Sequence, residues 1–296
     1  MSKIKSLISL LKYAFTRYKI DKLYLKRVGE LDIESNGITK EGLAFIKIKN
    51  GFTFHGYKSD SVQEFIYKYF IPKKIKSKLE NYSLNIALDV SRRFLPHLNL
   101  TEAQRKSRFL DIKEGDIVVE GVAFIGLYAM QLSKLVGQHG KVIAIEAIKE
   151  NFDILKKNIE SNHIKNIIPV NNALWNEKKK ISFFRNSKQV ASFTSELVDT
   201  KNTYDVDANT LDNILEEINI NKVDFVRLQI NGAELKALSG MHNVMTQYPQ
   251  MLIAAPYTLE GNSTRIPIDK YLKSVGFKTD HVLGNVCANI NSSYIS

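Results

Sequence analysis

The sequence predicts an α/β fold, an open and mostly parallel sheet flanked by helices, from two strand-turn-helix units and an acid that ends the strand between them. The later unit is residues 223–240, VDFVRLQINGAELKALSG. Val223, Phe225, Val226, Leu228 and Ile230 form a short apolar run rich in β-branched residues, which suits a strand covered on both faces. Gly232 breaks that run. Leu235, Leu238 and Met241 then recur at helical spacing, with Gly240 placed as a C-cap. Open α/β sheets bind ligands at such junctions, beyond the carboxyl ends of their strands.

The earlier unit is residues 116–136, DIVVEGVAFIGLYAMQLSKLV. Ile117, Val118 and Val119 make the strand, Glu120 and Gly121 open the turn, and Gly126 closes it. Leu127, Met130, Leu132, Leu135 and Val136 continue as a helix with an apolar face. A glycine-containing first turn brings backbone close to a ligand and aims helix N–H groups at it. The strand Lys141–Ile145 follows and ends on Glu146. An acid about 20 positions beyond such a turn is placed to accept hydrogen bonds from ribose hydroxyls. Glu120, Gly121, Ala123, Gly126 and Glu146 are therefore the expected holders of a nucleoside-containing cofactor.

The order of elements narrows that cofactor. After Glu146 come an amphipathic helix (Phe152, Leu155, Ile159), a strand at Ile167–Val170, a turn at 171–174 and a strand near Lys180–Phe184. The segments GDIVVEGVAFIG, GKVIAIEAIKENFDILKKNIESNHIKNIIPVNNAL, NTLDNILEEINI and VDFVRLQINGAELKALSG resemble the FkbM methyltransferase family, within the S-adenosylmethionine-dependent enzymes. The resemblance covers roughly residues 111–290, and its last segment is the family-specific one. It implies a class I methyltransferase-like Rossmann fold, a seven-stranded, mostly parallel sheet with helices on both faces. It also implies S-adenosylmethionine as cofactor, Asn172 and Ala173 as further cofactor contacts, and methyl transfer to a hydroxyl of a saccharide, lipid or small metabolite. No metal is implied.

The chain departs from the family at both turns. The family's first turn reads like Asp-Val-Gly-Ala-Asn-Ile-Gly, so Val122 falls where glycine is expected and Phe124 where an amide is. A β-branched residue resists positive φ, which predicts either that Gly121 takes over the glycine's conformation or that the cofactor sits differently. The family's later turn resembles Lys-Ile-Asp-Val-Glu-Gly-Ala-Glu. Here Gln229 and Asn231 replace its first two carboxylates and only Glu234 survives. A further acid expected after the strand Met251–Ala255 is absent, with Ala254 and Ala255 in that region.

Methyl transfer to an alcohol needs positioning and a group that receives the proton. Amides orient a hydroxyl but have no accessible basic form. The catalytic candidates are Gln229, Asn231, Glu234 and Arg227, with Tyr128 and His281 as additional polar groups. Two readings stand: an active O-methyltransferase, or a degenerate member that keeps the fold for binding, with a basic RNA-binding methyltransferase as a variant of the alternatives.

The formal charge of +11 is uneven. Residues 1–110 carry 22 Lys+Arg against 10 Asp+Glu, and the remainder 20 against 21. The division expected is a basic α+β N-terminal extension, 1–110, and a methyltransferase-like domain, 111–296. In the first twenty residues Ile4, Leu7, Ile8, Leu11, Phe15 and Tyr18 follow helical spacing with Lys3, Lys5, Lys12 and Lys19 on other faces. Such a helix suits an anionic membrane surface or packing onto the domain or a partner subunit. Residues 41–58 read as a β-hairpin about Asn50-Gly51, and 61–80 as a helix. Lys73, Lys74, Lys76 and Lys78 form a charged face that fits solvent better than nucleic acid. The single Cys287 excludes an intramolecular disulfide and suits a reducing, cytoplasmic setting, peripheral to a membrane if the first helix binds one.

Overall fold

The computed structural model describes residues 25–49, 51–60, 64, 67, 71, 73–93, 111–185, 191–192, 203–255, 258–259, 262–282 and 284–290. The expected basic helix over the first twenty residues, Asn50 and most of 61–72 lie outside them. The chain divides into two compact units, Met1–Leu98 with Lys157–His163, and Asn99–Lys156 with Ile164–Ser296.

In the first unit β1 (Ile33–Ile38), β2 (Ala44–Ile48) and β3 (Thr53–Gly56) form an antiparallel meander. β2 and β3 are the hairpin read from the sequence, and Gly51 in its turn has φ 93°. The helices α1 (Lys73–Lys76) and α2 (Leu84–Arg93) follow. Ile46, Phe54, Leu84, Ile86 and Leu88 are buried here. Two asparagine side chains extend the ladder of β3: Asn162 bonds the N–H and C=O of Thr53 at 2.9 and 2.7 Å, and Asn158 those of His55 at 2.6 and 3.0 Å. A primary amide supplies one donor and one acceptor, as a strand neighbour would.

The second unit is built on seven strands: β4 (Ile117–Glu120), β5 (Lys141–Ile145), β6 (Ile167–Val170), β11 (Phe225–Leu228), β12 (Gln250–Ala254), β15 (Lys278–Val282) and β16 (Asn285–Asn289). Their order is β15-β16-β12-β11-β4-β5-β6. Neighbours from β12 through β6 are parallel, whereas β16 is antiparallel to both β12 and β15. The mostly parallel seven-stranded sheet is the one the resemblance implies. Central strands such as Val118–Val119, Val142–Ile145 and Phe225–Val226 are fully buried, so both of their faces are covered. The helices are α3 (Leu127–Val136), α4 (Lys149–Ser161, whose end from Lys157 on belongs to the first unit), α5 (Leu211–Glu217), α6 (Glu234–Leu238), α7 (His242–Met245) and α8 (Arg265–Ser274). Cys287 lies in β16 and is fully buried.

One difference concerns the strand near Lys180–Phe184. It is β8 (Lys179–Arg185), and it joins β7 (Ala173–Leu174), β9 (Ala191–Ser192) and β10 (Thr203–Asn209) in a separate sheet ordered β7-β10-β8-β9. β8 is amphipathic: Ile181 and Phe183 pack on the core while Lys180 and Ser182 are exposed. A strand wet on one face pairs antiparallel at the periphery rather than inside a parallel sheet. A two-stranded hairpin, β13 (Thr258–Leu259) with β14 (Asn262–Ser263), precedes α8. Among the described residues no helix is long and apolar enough to cross a membrane, and no group of three or more His, Cys, Asp or Glu is placed to hold a metal ion.

Candidate active site at the switch of strand order

From β4 the chain winds outward through β5 and β6, and it later returns on the other side as β11 and β12. Strand order therefore reverses between β4 and β11, the position at which open α/β sheets bind ligands beyond the carboxyl ends of their strands. Register sets Arg227 of β11 directly against Glu120 of β4.

The first turn, Glu120–Gly126, is closed by backbone and by one acid. The Gly121 amide donates to the Arg227 carbonyl at 2.8 Å, and the Ala123 amide to the Ile145 carbonyl at 2.9 Å. Glu146, only 4% exposed, accepts from the Phe124 amide at 2.9 Å through Oε2. Its Oε1 accepts from the Ile148 amide at 3.0 Å and from Asn151 Nδ2 at 3.1 Å. Positive φ falls on Phe124 (51°) and Gly126 (87°), and on neither Gly121 nor Val122. Gly121 is small for another reason: a Cβ there would lie 2.6 Å from Leu228 Cδ2 and 3.0 Å from the Arg227 carbonyl oxygen. The turn thus keeps its shape without a glycine at 122, by leaving Val122 in an ordinary conformation and placing a phenylalanine in the left-handed region.

The second turn, Gln229–Glu234, is closed by its own last residue. Glu234 is fully buried and accepts from the Ile230 amide through Oε1 and the Gly232 amide through Oε2, both at 2.9 Å. Burial raises its pKa to about 7, against the lowering effect of those amides. Asn231 and Gly232 take positive φ, 49° and 98°, which these two residue types tolerate. The helix after this turn stops at Leu238 with Ser239 as C-cap, and Gly240, the next residue, lacks the positive φ of a helix-ending glycine. Its lack of a side chain answers a steric demand, since a Cβ would meet the Trp175 carbonyl oxygen at 2.2 Å.

Arg227 joins the two turns. Its Nη1 bonds Glu120 Oε1, its Nη2 bonds Gln229 Oε1, and its Cζ lies 4.2 Å from the centroid of the Tyr128 ring. Glu120 is fully buried and the Arg227 side chain is 16% exposed, so this is an ion pair largely withdrawn from water. Among the described residues the buried Tyr128 hydroxyl has no hydrogen-bond partner. Burial drives its pKa up, the Arg227 charge pulling the other way, so the phenol is neutral and a donor.

Of the residues expected from the sequence, Glu120, Arg227 and Gln229 converge in one cluster, and Gly121, Ala123, Gly126 and Glu146 build the adjoining turn. Glu234 serves the interior of its own turn. Ala173 lies in β7 against Ala208. Beside Asn172 it is Asn171 whose Nδ2 donates to the carbonyls of Glu146 and Ala147, at 2.8 and 3.2 Å. His281 is exposed and pairs with Asp269 at 3.1 Å on β15, away from the switch. A cavity of about 500 Å³ lined by Asp116, Lys222, Asp224 and Gln250 lies at the amino ends of β4, β11 and β12, the opposite end of the sheet.

Residues 120–278, more than half of the chain, match the model of the methyltransferase FkbM domain. The chain belongs to the FkbM methyltransferases. It is an S-adenosylmethionine-dependent enzyme by that membership. No curated protein matches it. Among solved structures, an FkbM methyltransferase from Methylobacillus flagellatus is 17% identical over 79% of this chain and 62% of its own, with a TM-score of 0.46. A SAM-dependent methyltransferase from Aquifex aeolicus is 18% identical over 64% and 89%, TM-score 0.37. Fibrillarin from Aeropyrum pernix, solved with S-adenosylmethionine, is 13% identical over 87% and 98%, TM-score 0.44. Membership rests on the sequence match and not on these likenesses.

The donor set of this methyltransferase fits its cofactor. The first turn opens α3, whose first amides have no intrahelical partner and favour an anionic group such as the cofactor's carboxylate. The carboxylate of Glu146 follows β5 as an acceptor for hydroxyls, and the neutral Tyr128 hydroxyl at the start of α3 is a buried polar atom with no partner among the described residues.

Proposed function

We propose that the enzyme transfers the methyl group of S-adenosylmethionine to an oxygen of a saccharide, lipid or small metabolite, at the crevice between the carboxyl ends of β4 and β11. The resemblance implies a hydroxyl as that oxygen. The observation that carries the reading is the family match over residues 120–278, which spans both turns at the switch of strand order.

The bound cofactor supplies an electrophilic methyl on a sulfonium. The chain's part is to position and to exclude water. Glu146 holds ribose hydroxyls while its bonds to the Phe124 and Ile148 amides keep it oriented. Glu120, Gly121, Ala123 and Gly126 form the floor of the cofactor site, with Asn172 and Ala173 at its edge. Arg227, Gln229 and Asn231 face the acceptor. Glu234 holds the second turn in shape.

Titration calorimetry with S-adenosylhomocysteine tests the cofactor half of this. Micromolar binding that Glu146→Ala weakens at least about tenfold, or 1.4 kcal/mol, is the expected result. No binding to the parent protein at millimolar ligand sinks the reading.

A further inference from the structure

We propose that the acceptor oxygen belongs to a carboxylate, so that the product is a methyl ester. The proposal rests on the methyltransferase reading above and puts a carboxylate in place of the hydroxyl that the resemblance implies. An alcohol must lose a proton as it attacks, and a carboxylate or imidazole within hydrogen-bond reach normally receives it. Among the described residues, the carboxylates at the carboxyl ends of β4, β5 and β11 and on the turns that follow them are Glu120, Glu146 and Glu234. Glu120 is tied to Arg227, Glu146 to the Phe124 and Ile148 amides, and Glu234 to the amides of its own turn. All three are buried, with exposures of 0%, 4% and 0%. Glu120 and Glu234 are engaged inside the protein and Glu146 is committed to the cofactor's ribose, so none of the three is presented to the methyl acceptor. Gln229 and Asn231 stand where the family pattern has carboxylates, and an amide takes no proton.

A carboxylate needs no base, because it is already ionised at neutral pH. Its requirements are a hydrogen-bond donor, a nearby positive charge and no like charge in the way. Gln229 meets the first: it is exposed, and the bond from Arg227 to its Oε1 orients the amide so that Nε2 remains as donor. Arg227 meets the second, held in place by Glu120 and by the Tyr128 ring. The change of two carboxylates to amides meets the third, since each anion removed takes away a repulsion that grows as the acceptor approaches. In the reaction the carboxylate oxygen forms a bond to the methyl carbon as the carbon–sulfur bond breaks. The electron pair of that bond stays on sulfur, which becomes a neutral thioether. The negative charge of the acceptor and the positive charge of the sulfonium cancel, and no proton is released.

The test uses the full chain, methyl-labelled S-adenosylmethionine and matched probes: galacturonate against galactose, and decanoate against decanol, with glucose 6-phosphate as a third kind of anion. S-adenosylhomocysteine binding is measured first, and its absence overturns the methyltransferase reading itself. With binding established, label on an acid of either pair but not on its alcohol, released as volatile methanol by mild alkali, is the expected result. Label on an alcohol, alkali-stable label on the sugar phosphate, or no label on either acid overturns the carboxylate proposal alone. Gln229→Glu is expected to lower kcat/KM for the acid about tenfold, mainly through KM, and to leave S-adenosylhomocysteine affinity unchanged. A gain in acid methylation by that variant overturns the proposal as well.

Discussion

The two turns at the switch of strand order solve one problem in opposite ways. Each must leave a strand, pass through the left-handed region and start a helix, and each has buried amides that need an acceptor. The second turn is self-sufficient: Glu234 reaches back two and four residues to its amides, and Asn231 and Gly232 take the positive φ values at little cost. The first turn borrows its acceptor from the next strand, through Glu146, and puts Phe124 in a conformation that bulky residues resist. A turn held by its neighbour depends on the sheet being assembled. A turn held by itself does not.

That contrast is open to attack, most forcefully through the residue that joins the turns. Arg227→Met strips the buried Glu120 of its cation and should cost about 3–5 kcal/mol in urea denaturation, with much of it recovered in the double variant that adds Glu120→Gln. Glu146→Ala leaves the Phe124 and Ile148 amides without their acceptor and should cost about 3–4 kcal/mol. Hydrogen exchange should show the first turn opening in this variant while the second stays protected. Should both turns open together, their independence is lost.

Glu234 gives a pH test of the second turn. Its folded-state pKa is raised from 4.5 to about 7, so the folded protein holds a proton that the unfolded chain releases. Its contribution is fully present below pH 4.5 and is lost as pH rises to about 7, a decline of up to about 3 kcal/mol. Glu234→Gln should be less stable at pH 4.5 and should remove this decline from denaturation curves taken at steps between pH 4.5 and 7. The smallest effect is Phe124→Asn, which trades a strained residue for one that accepts positive φ and should raise stability by about 1 kcal/mol, read from the urea midpoint.

How much of this was legible in the sequence differs by kind of contact. Ile117–Val119, Lys141–Ile145 and Phe225–Leu228 read as central strands because a strand buried on both faces is apolar throughout. β8 read as a strand but not as part of a second sheet, since the alternation of Ile181 and Phe183 with Lys180 and Ser182 is the same whichever partner it takes. Spacing from the first turn marks Glu146. Its partners carry no such mark, because two of them are backbone amides, which have no residue identity. The pairing of Glu120 with Arg227 spans 107 positions and is set by strand register, which a single sequence does not display. Gly240 sits where a helix cap is expected, yet its role is to clear the Trp175 carbonyl, a neighbour that only the folded chain brings near.

Cys287 turns the architecture of the sheet into something that can be timed. It is the single thiol of the chain, on β16, the antiparallel strand wedged between β12 and β15, and it is fully buried. A thiol reagent reaches it only when that strand leaves the sheet, so the labelling rate is a stopwatch for the opening of the C-terminal hairpin, with no engineered probe. A ligand bound at the opposite, β4–β11 side of β12 slows that clock only if the sheet opens as one cooperative body.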